Sequence, residues 1–166
     1  VPARLVVRWE SPGGEAGRWV DDDGNVLPSR FVGTGKGEES SESRPFLQFD
    51  GTNYLETEGL GSFEAVSVAL WVRIDQLTSR WNPLLFTNTP EDSAFHFSIL
   101  REGIPNVAVN SGSKQWVHNC ARTAIPPGQW RHIAVVCDPR FGGTIRFYID
   151  GKLDAKARLS LGVPLD

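Results

Sequence analysis

The apolar positions of this chain recur mostly at every second residue, and two stretches show it best. In residues 63–75, Val66, Val68, Leu70, Val72 and Ile74 share one face, while Ser67, Ala69, Trp71 and Arg73 share the other. In residues 129–152, Ile133, Val135 and Cys137 alternate with His132, Ala134 and Val136. Beyond the turn DPRFGG, Ile145, Phe147 and Ile149 alternate with Thr144, Arg146 and Tyr148. Period-two alternation in runs rich in β-branched and aromatic residues predicts strands. Asp150-Gly151, which closes the last run, suits a tight hairpin turn. Shorter runs bounded by Gly, Pro, Asn or Ser lie at residues 4–10, 46–49, 53–57, 83–87, 94–101, 106–110 and 115–122. No stretch carries the period of an amphipathic helix. Many short strands with turn residues between them predict an all-β antiparallel sandwich or barrel. The run GKGEESSES is charged and of low complexity. A mobile surface loop is therefore expected over residues 33–44.

Composition narrows this reading. A chain of 166 residues is one domain of ordinary size, able to bury a core without staples. Six Trp and nine Phe with no Met favour a rigid aromatic core. A net charge of −3 speaks against a nucleic-acid partner, which calls for a basic surplus. No run is long enough to span a membrane, and no signal-peptide pattern opens the chain. Cys120 and Cys137 are too few for a disulfide framework. They flank the turn Pro126-Pro127-Gly128 symmetrically, so a simple hairpin there brings them within disulfide reach. Two small buried thiols are the alternative.

Several motifs stand in a telling order: LQFDG at 47–51 with YLE at 54–56, VALWVRI at 68–74, PLLF at 83–86, GQWRHIAV at 128–135 and FYIDGK at 147–152. Together they resemble the laminin-G-like branch of the concanavalin-A-like jelly rolls, over nearly the whole chain. The resemblance implies an antiparallel two-sheet jelly-roll sandwich. It also implies a bacterial module of a larger parent protein, placed extracellularly, in the periplasm or in the cell envelope. Members usually continue past the FYIDGK hairpin with an arm resembling LRIG and a final strand similar to GxIDEVRIY, which returns beside the first. Here the hairpin is followed by a segment ending Gly162-Val163-Pro164-Leu165-Asp166. The expected fold therefore lacks its last return strand, the chain being cut short or completed by a separate piece.

Catalysis finds little support. Glycosidases of the resembled fold carry carboxylates in an ExDxxE arrangement that flanks one bond. In this chain Glu38-Glu39, Glu56 with Glu58, and Glu91-Asp92 fall in loops or at strand ends. Ser98 lies two residues from His96 on one strand face, without an evident oxyanion loop. For metal, Asp21, Asp23 and Asn25 in DDDGN cluster oxygen ligands and are candidates for Ca²⁺, which the resembled modules often hold at a loop rim. The cluster lacks the twelfth-position Glu of an EF-hand, and a solvated turn is the plainer account. His96, His118 and His132 read as satisfied strand residues, with too few Cys or carboxylates nearby for a zinc set.

Aromatics carry the remaining signal. Sugar rings stack an apolar C–H face on Trp and need polar partners at their edges. Trp81 with Asn82, and Trp116 with His118 and Asn119, are candidate carbohydrate contacts on this ground. The alternative is that both indoles cap the core at sheet edges, and exposed aromatics equally suit a protein surface. The expectation is a non-catalytic recognition module that binds carbohydrate or a protein surface beside other domains of a larger chain. A structural spacer and a glycoside hydrolase with an unfamiliar carboxylate pair are the alternatives.

Overall fold

The computed structural model describes residues 7–10, 18–21, 23–33, 46–57, 63–87, 94–110, 116–138, 140 and 143–158. Apart from Gly33, the expected loop over 33–44 lies outside them. The chain forms two compact units, Val1–Gly61 and Ser62–Asp166.

In the first unit β1 (Val7–Glu10), β2 (Arg18–Asp21) and β3 (Val26–Leu27) make a three-stranded antiparallel sheet. β4 (Ser29–Gly33) pairs with β5 (Asn53–Thr57). Residues 46–49, expected as a strand, lie outside any strand. The reason is local chemistry at Asp50-Gly51. Asp50 Oδ1 accepts hydrogen bonds from Thr52 N and Oγ1 at 2.8 and 2.7 Å, and Asn53 Oδ1 accepts one from Asp50 N. This Asx-type turn diverts the chain, and β4 takes the place beside β5. Their approach requires glycine at position 33, where φ is +115° and a Cβ would overlap the Thr52 carbonyl oxygen.

The second unit holds β6 (Val66–Arg73), β7 (Trp81–Phe86), β8 (Phe95–Leu100), β9 (Pro105–Asn110), β10 (Trp116–Cys120), β11 (Trp130–Asp138), β12 (Thr144–Ile149) and β13 (Lys152–Arg158). They form two four-stranded antiparallel sheets, in the orders β10-β9-β8-β7 and β13-β12-β11-β6. Alternation turns Phe95, Phe97, Ile99, Val107 and Val109 of the first sheet into a core shared with Ile133, Val135, Cys137, Ile145 and Phe147 of the second. Full burial of each such Phe, Ile or Val is worth about 1.5–3 kcal/mol. Val66, Val68, Leu70 and Val72 pack against that core, as their period required. The described residues contain no helix, and so none able to cross a membrane. The architecture is an all-β jelly-roll sandwich.

The chain passes between the sheets at residues 74–80 and again at 121–129. The second crossing is stitched to four elements. Ala121 N donates to Pro105 O, Ile125 N to Gly103 O and Gly128 N to Ile74 O, at 2.8–2.9 Å. Arg122 N and Thr123 N donate to Asp154 Oδ2 at 2.6 and 3.3 Å. Asp154 reaches them because of a bulge. Phe147 pairs with Ala155 and Tyr148 with Leu153, which leaves Asp154 as an extra residue outside the ladder. β13 itself is a strand the periodicity did not foresee, since KLDAKAR has no β-branched residue. The tight turn before it is as expected, with positive φ at both Asp150 (50°) and Gly151 (76°), the pattern of a type I′ hairpin.

The same topology separates the two cysteines, for which a bridge and two buried thiols were the alternatives. β10 and β11 are not a hairpin, because the Pro126-Pro127-Gly128 segment carries the chain from one sheet to the other. Cys120 ends exposed on β10 and Cys137 lies buried in β11, and both are free thiols. Burial pushes the Cys137 thiol up to about 12, which makes it inert at neutral pH.

Partial burial pushes the Asp154 carboxyl up, but hydrogen bonds from Thr123 and from the Arg122 and Thr123 backbone outweigh it and hold it below the ordinary 3.8. Its stabilisation is therefore fully present above that value and is lost as pH falls through the depressed one. Asp154→Ala should cost about 1–2 kcal/mol in denaturant melts at pH 7. The gap from the parent protein should close in melts at acid pH, and a gap that persists there would refute the capping role.

Candidate functional site

The outer face of the β7–β10 sheet gathers most of the aromatic chemistry. Register places Trp81, Pro83 and Phe86 of β7, His96, Ser98 and Leu100 of β8, Asn106, Ala108 and Asn110 of β9, and Trp116, His118 and Cys120 of β10 on this face. Trp81 and Phe86 are five apart and would face opposite ways in a regular strand. A bulge between Pro83 and Leu85 shifts the alternation, so that Leu84 and Leu85 both pack on the core and Phe86 turns outward.

Five rings meet on the face. Phe86 stacks on His96 with centroids 4.0 Å apart, and Trp116 lies against His96 at 4.2 Å. Trp81 meets His118 at 4.9 Å, although β7 and β10 are the two edges of the sheet. The residues between them are small or short, Ser98, Asn106 and Ala108, and this lets side chains from the edges lean inward. Trp81 and Trp116 are each 36% exposed, and neither belongs to the core. The indoles thus do not cap the core.

The segment before β7 is clamped to aim Trp81. Asn82 Nδ2 donates to Ser79 O at 2.8 Å and Ile99 O at 3.0 Å, and its Oδ1 accepts from Ser79 N. Arg101 Nη2 donates to Thr78 O, and the Arg80 guanidinium lies 5.2 Å over the Trp81 ring. Such a cation–π contact is worth about 0.5–1 kcal/mol when exposed.

Of the candidate sugar contacts, Trp81, Trp116 and His118 are therefore brought together. Asn82 is not available, since both ends of its amide hold the turn. Asn119 falls on the opposite side of β10 by alternation. Phe86 and His96 were missed as partners because the bulge and the crossing of strands are not visible in spacing. Asn106 was missed as well. It is 1% exposed, its Nδ2 donates to Asn119 O at 3.0 Å and Cys120 Sγ at 3.3 Å, and its Oδ1 has no hydrogen-bond partner among the described residues. A buried acceptor left so costs about 1–3 kcal/mol.

Burial pushes the His96 imidazole below its ordinary 6.5; a hydrogen bond to the Thr87 backbone opposes this, and neighbouring His118 adds to the fall. The described outer-face residues include no carboxylate, so no acid–nucleophile pair forms there. Of the calcium candidates, Asp21 closes β2 with its side chain outside the described part, and Asp23 and Asn25 are exposed in the β2–β3 turn. Among the described residues no group of three His, Cys, Asp or Glu side chains could hold a metal ion.

The model of a family described as "Concanavalin A-like lectin/glucanases superfamily" matches residues 49–165. No curated protein matches the chain in sequence. Among solved structures, botulinum neurotoxin type C, from work titled "Cell entry of botulinum neurotoxin type C is dependent upon interaction with two ganglioside molecules", is similar at TM-score 0.70 and 12% identity. The match covers 98% of this chain and 40% of that one. A sialidase CBM40 of Ruminococcus gnavus bound to α2,3-sialyllactose is similar at TM-score 0.46 and 15% identity, covering 59% and 55%. An S-layer domain-containing protein of Clostridium thermocellum reaches TM-score 0.48 and 22% identity, covering 96% and 75%. The chain thus spans about half the length of the first two structures. The neurotoxin likeness bears on the fold alone.

The depressed His96 gives the site a pH signature. Above 6.5 the imidazole is neutral whether the chain is folded or not; below it, the folded state resists the charge that the unfolded chain accepts. Thermal stability should therefore fall as pH drops below 6.5, and His96→Phe, which keeps the ring stack, should lack that component. Identical pH profiles for the two proteins would refute the assignment.

Proposed function

The chain belongs to the concanavalin A-like lectin/glucanases superfamily, and from that premise we propose that it is a non-catalytic carbohydrate-recognition module acting through the outer face of the β7–β10 sheet. One observation carries the reading: five rings gather on one sheet face beside the buried polar residues Ser98, Asn106 and Asn110, and the described residues of that face include no carboxylate. Apolar walls with a few placed polar groups suit a sugar, which offers C–H faces and hydroxyl edges at once. That the described residues of the face include no carboxylate pair supports binding over hydrolysis. The similar botulinum neurotoxin type C enters cells through interaction with two ganglioside molecules, which carry sugar. An extracellular or envelope setting beside other domains fits a module of this kind. Calcium plays no part in the proposed contacts.

A glycan array tests the reading. At least one oligosaccharide should bind, and Trp81→Ala and Trp116→Ala should each weaken binding about tenfold or more, the worth of one lost ring contact of about 1.4 kcal/mol. Melting temperatures should change little, since both indoles lie outside the core. An array silent throughout would favour a structural spacer, and measured hydrolysis of a bound polysaccharide would overturn the non-catalytic assignment.

A further inference from the structure

We infer that Asn106 is the specificity-determining acceptor of this face and selects its sugar through a hydroxyl donated to its Oδ1. The inference rests on the carbohydrate reading and narrows it. Trp81 and His118 come from opposite edge strands and meet at 4.9 Å. The register row between them runs Pro83, Ser98, Asn106, Cys120, so the ring pair closes over Ser98 and Asn106.

The amide beneath has a fixed orientation. Its Nδ2 faces the Asn119 carbonyl oxygen, and the reversed amide would set two acceptors against each other. Oδ1 is therefore the other prong, an acceptor in a buried position with no partner among the described residues. Buried acceptors in folded proteins nearly always have one. A group that fills this role must donate, as a hydroxyl does, and a carboxylate or sulfate oxygen there would meet repulsion. Asn106 is itself too short to leave the face, so access to it requires Trp81 and His118, both exposed, to rotate aside, a motion exposed side chains make in picoseconds to nanoseconds. Once parted, the two rings flank a pyranose whose deepest hydroxyl reaches Oδ1. A site built to bond one hydroxyl discriminates strongly against ligands that lack it.

The test is calorimetric titration of the whole chain with cellotetraose, xylotetraose, mannotetraose and the acidic trigalacturonate. The expected result is that at least one of these sugars binds. Asn106→Leu, close in shape but without an acceptor, and Asn106→Ser, whose hydroxyl cannot reach the same point, should each lower that affinity at least about tenfold. Asn106→Leu should keep its melting temperature, because it also removes the unpartnered oxygen; a purely structural Asn106 would show lower stability with unchanged affinity. Equal affinity in wild type and either folded variant would overturn this inference and leave the carbohydrate reading standing. If none of the four sugars binds, this inference falls, and a glycan array without hits removes the broader reading too.

Discussion

Two sheets can share one core only if the chain that joins them satisfies its own backbone while it crosses. The segment at 121–129 meets this constraint by borrowing partners from everything near it: the start of β9, the glycine turn between β8 and β9, the end of β6, and a side chain of β13. Gly103 is central because its φ of +82° opens the turn, and a Cβ there would press on the Ile125 carbonyl oxygen at 2.9 Å. Ala121 and Ile125 meanwhile drop into the core. A polar backbone thus runs through an apolar boundary with its hydrogen bonds made, which is the condition for burying it at all.

That arrangement decides where chemistry can reside. The inner faces of both sheets are committed to Phe, Ile and Val, so polar and aromatic function is left to the outer faces. On the outer face of the β7–β10 sheet, Ser98, Asn106 and Ala108 of the central strands are short, while Trp81, Phe86, Trp116 and His118 of the edge strands are long. Rings from the edges then lean over a polar middle instead of standing apart. On the β13–β6 sheet the corresponding positions give one edge-on pair, Trp71 and His132 at 5.5 Å, with Trp71 61% exposed.

The sandwich was legible in the sequence because alternation reports directly on which residues are buried. Val66 to Ile74 and Ile133 to Cys137 face the core as their period required. Legibility failed where one residue breaks the period. The extra Leu84 turns Phe86 to the site, and the extra Asp154 leaves its ladder to cap a loop 31 and 32 residues away in sequence. Pairing failed where two strands adjacent in sequence enter different sheets, as with Cys120 and Cys137. Of the site, Trp81, Trp116 and His118 were recognised by type. Asn106 was hidden, since an Asn at the start of a short expected strand gives no sign in the sequence of what its side chain meets.

The Asp154 bulge has a dynamic consequence. β13 is an edge strand among the described elements, and edge strands open at lower free energy than the strands they flank. When β13 peels away, the Arg122 and Thr123 amides lose their carboxylate acceptor. Fraying at one margin of a sheet is thereby transmitted to the joint between both sheets. The crossover should exchange its amide hydrogens in step with β13 and not with β10, its neighbour in sequence, so that these two distant segments make a single cooperative unit of opening.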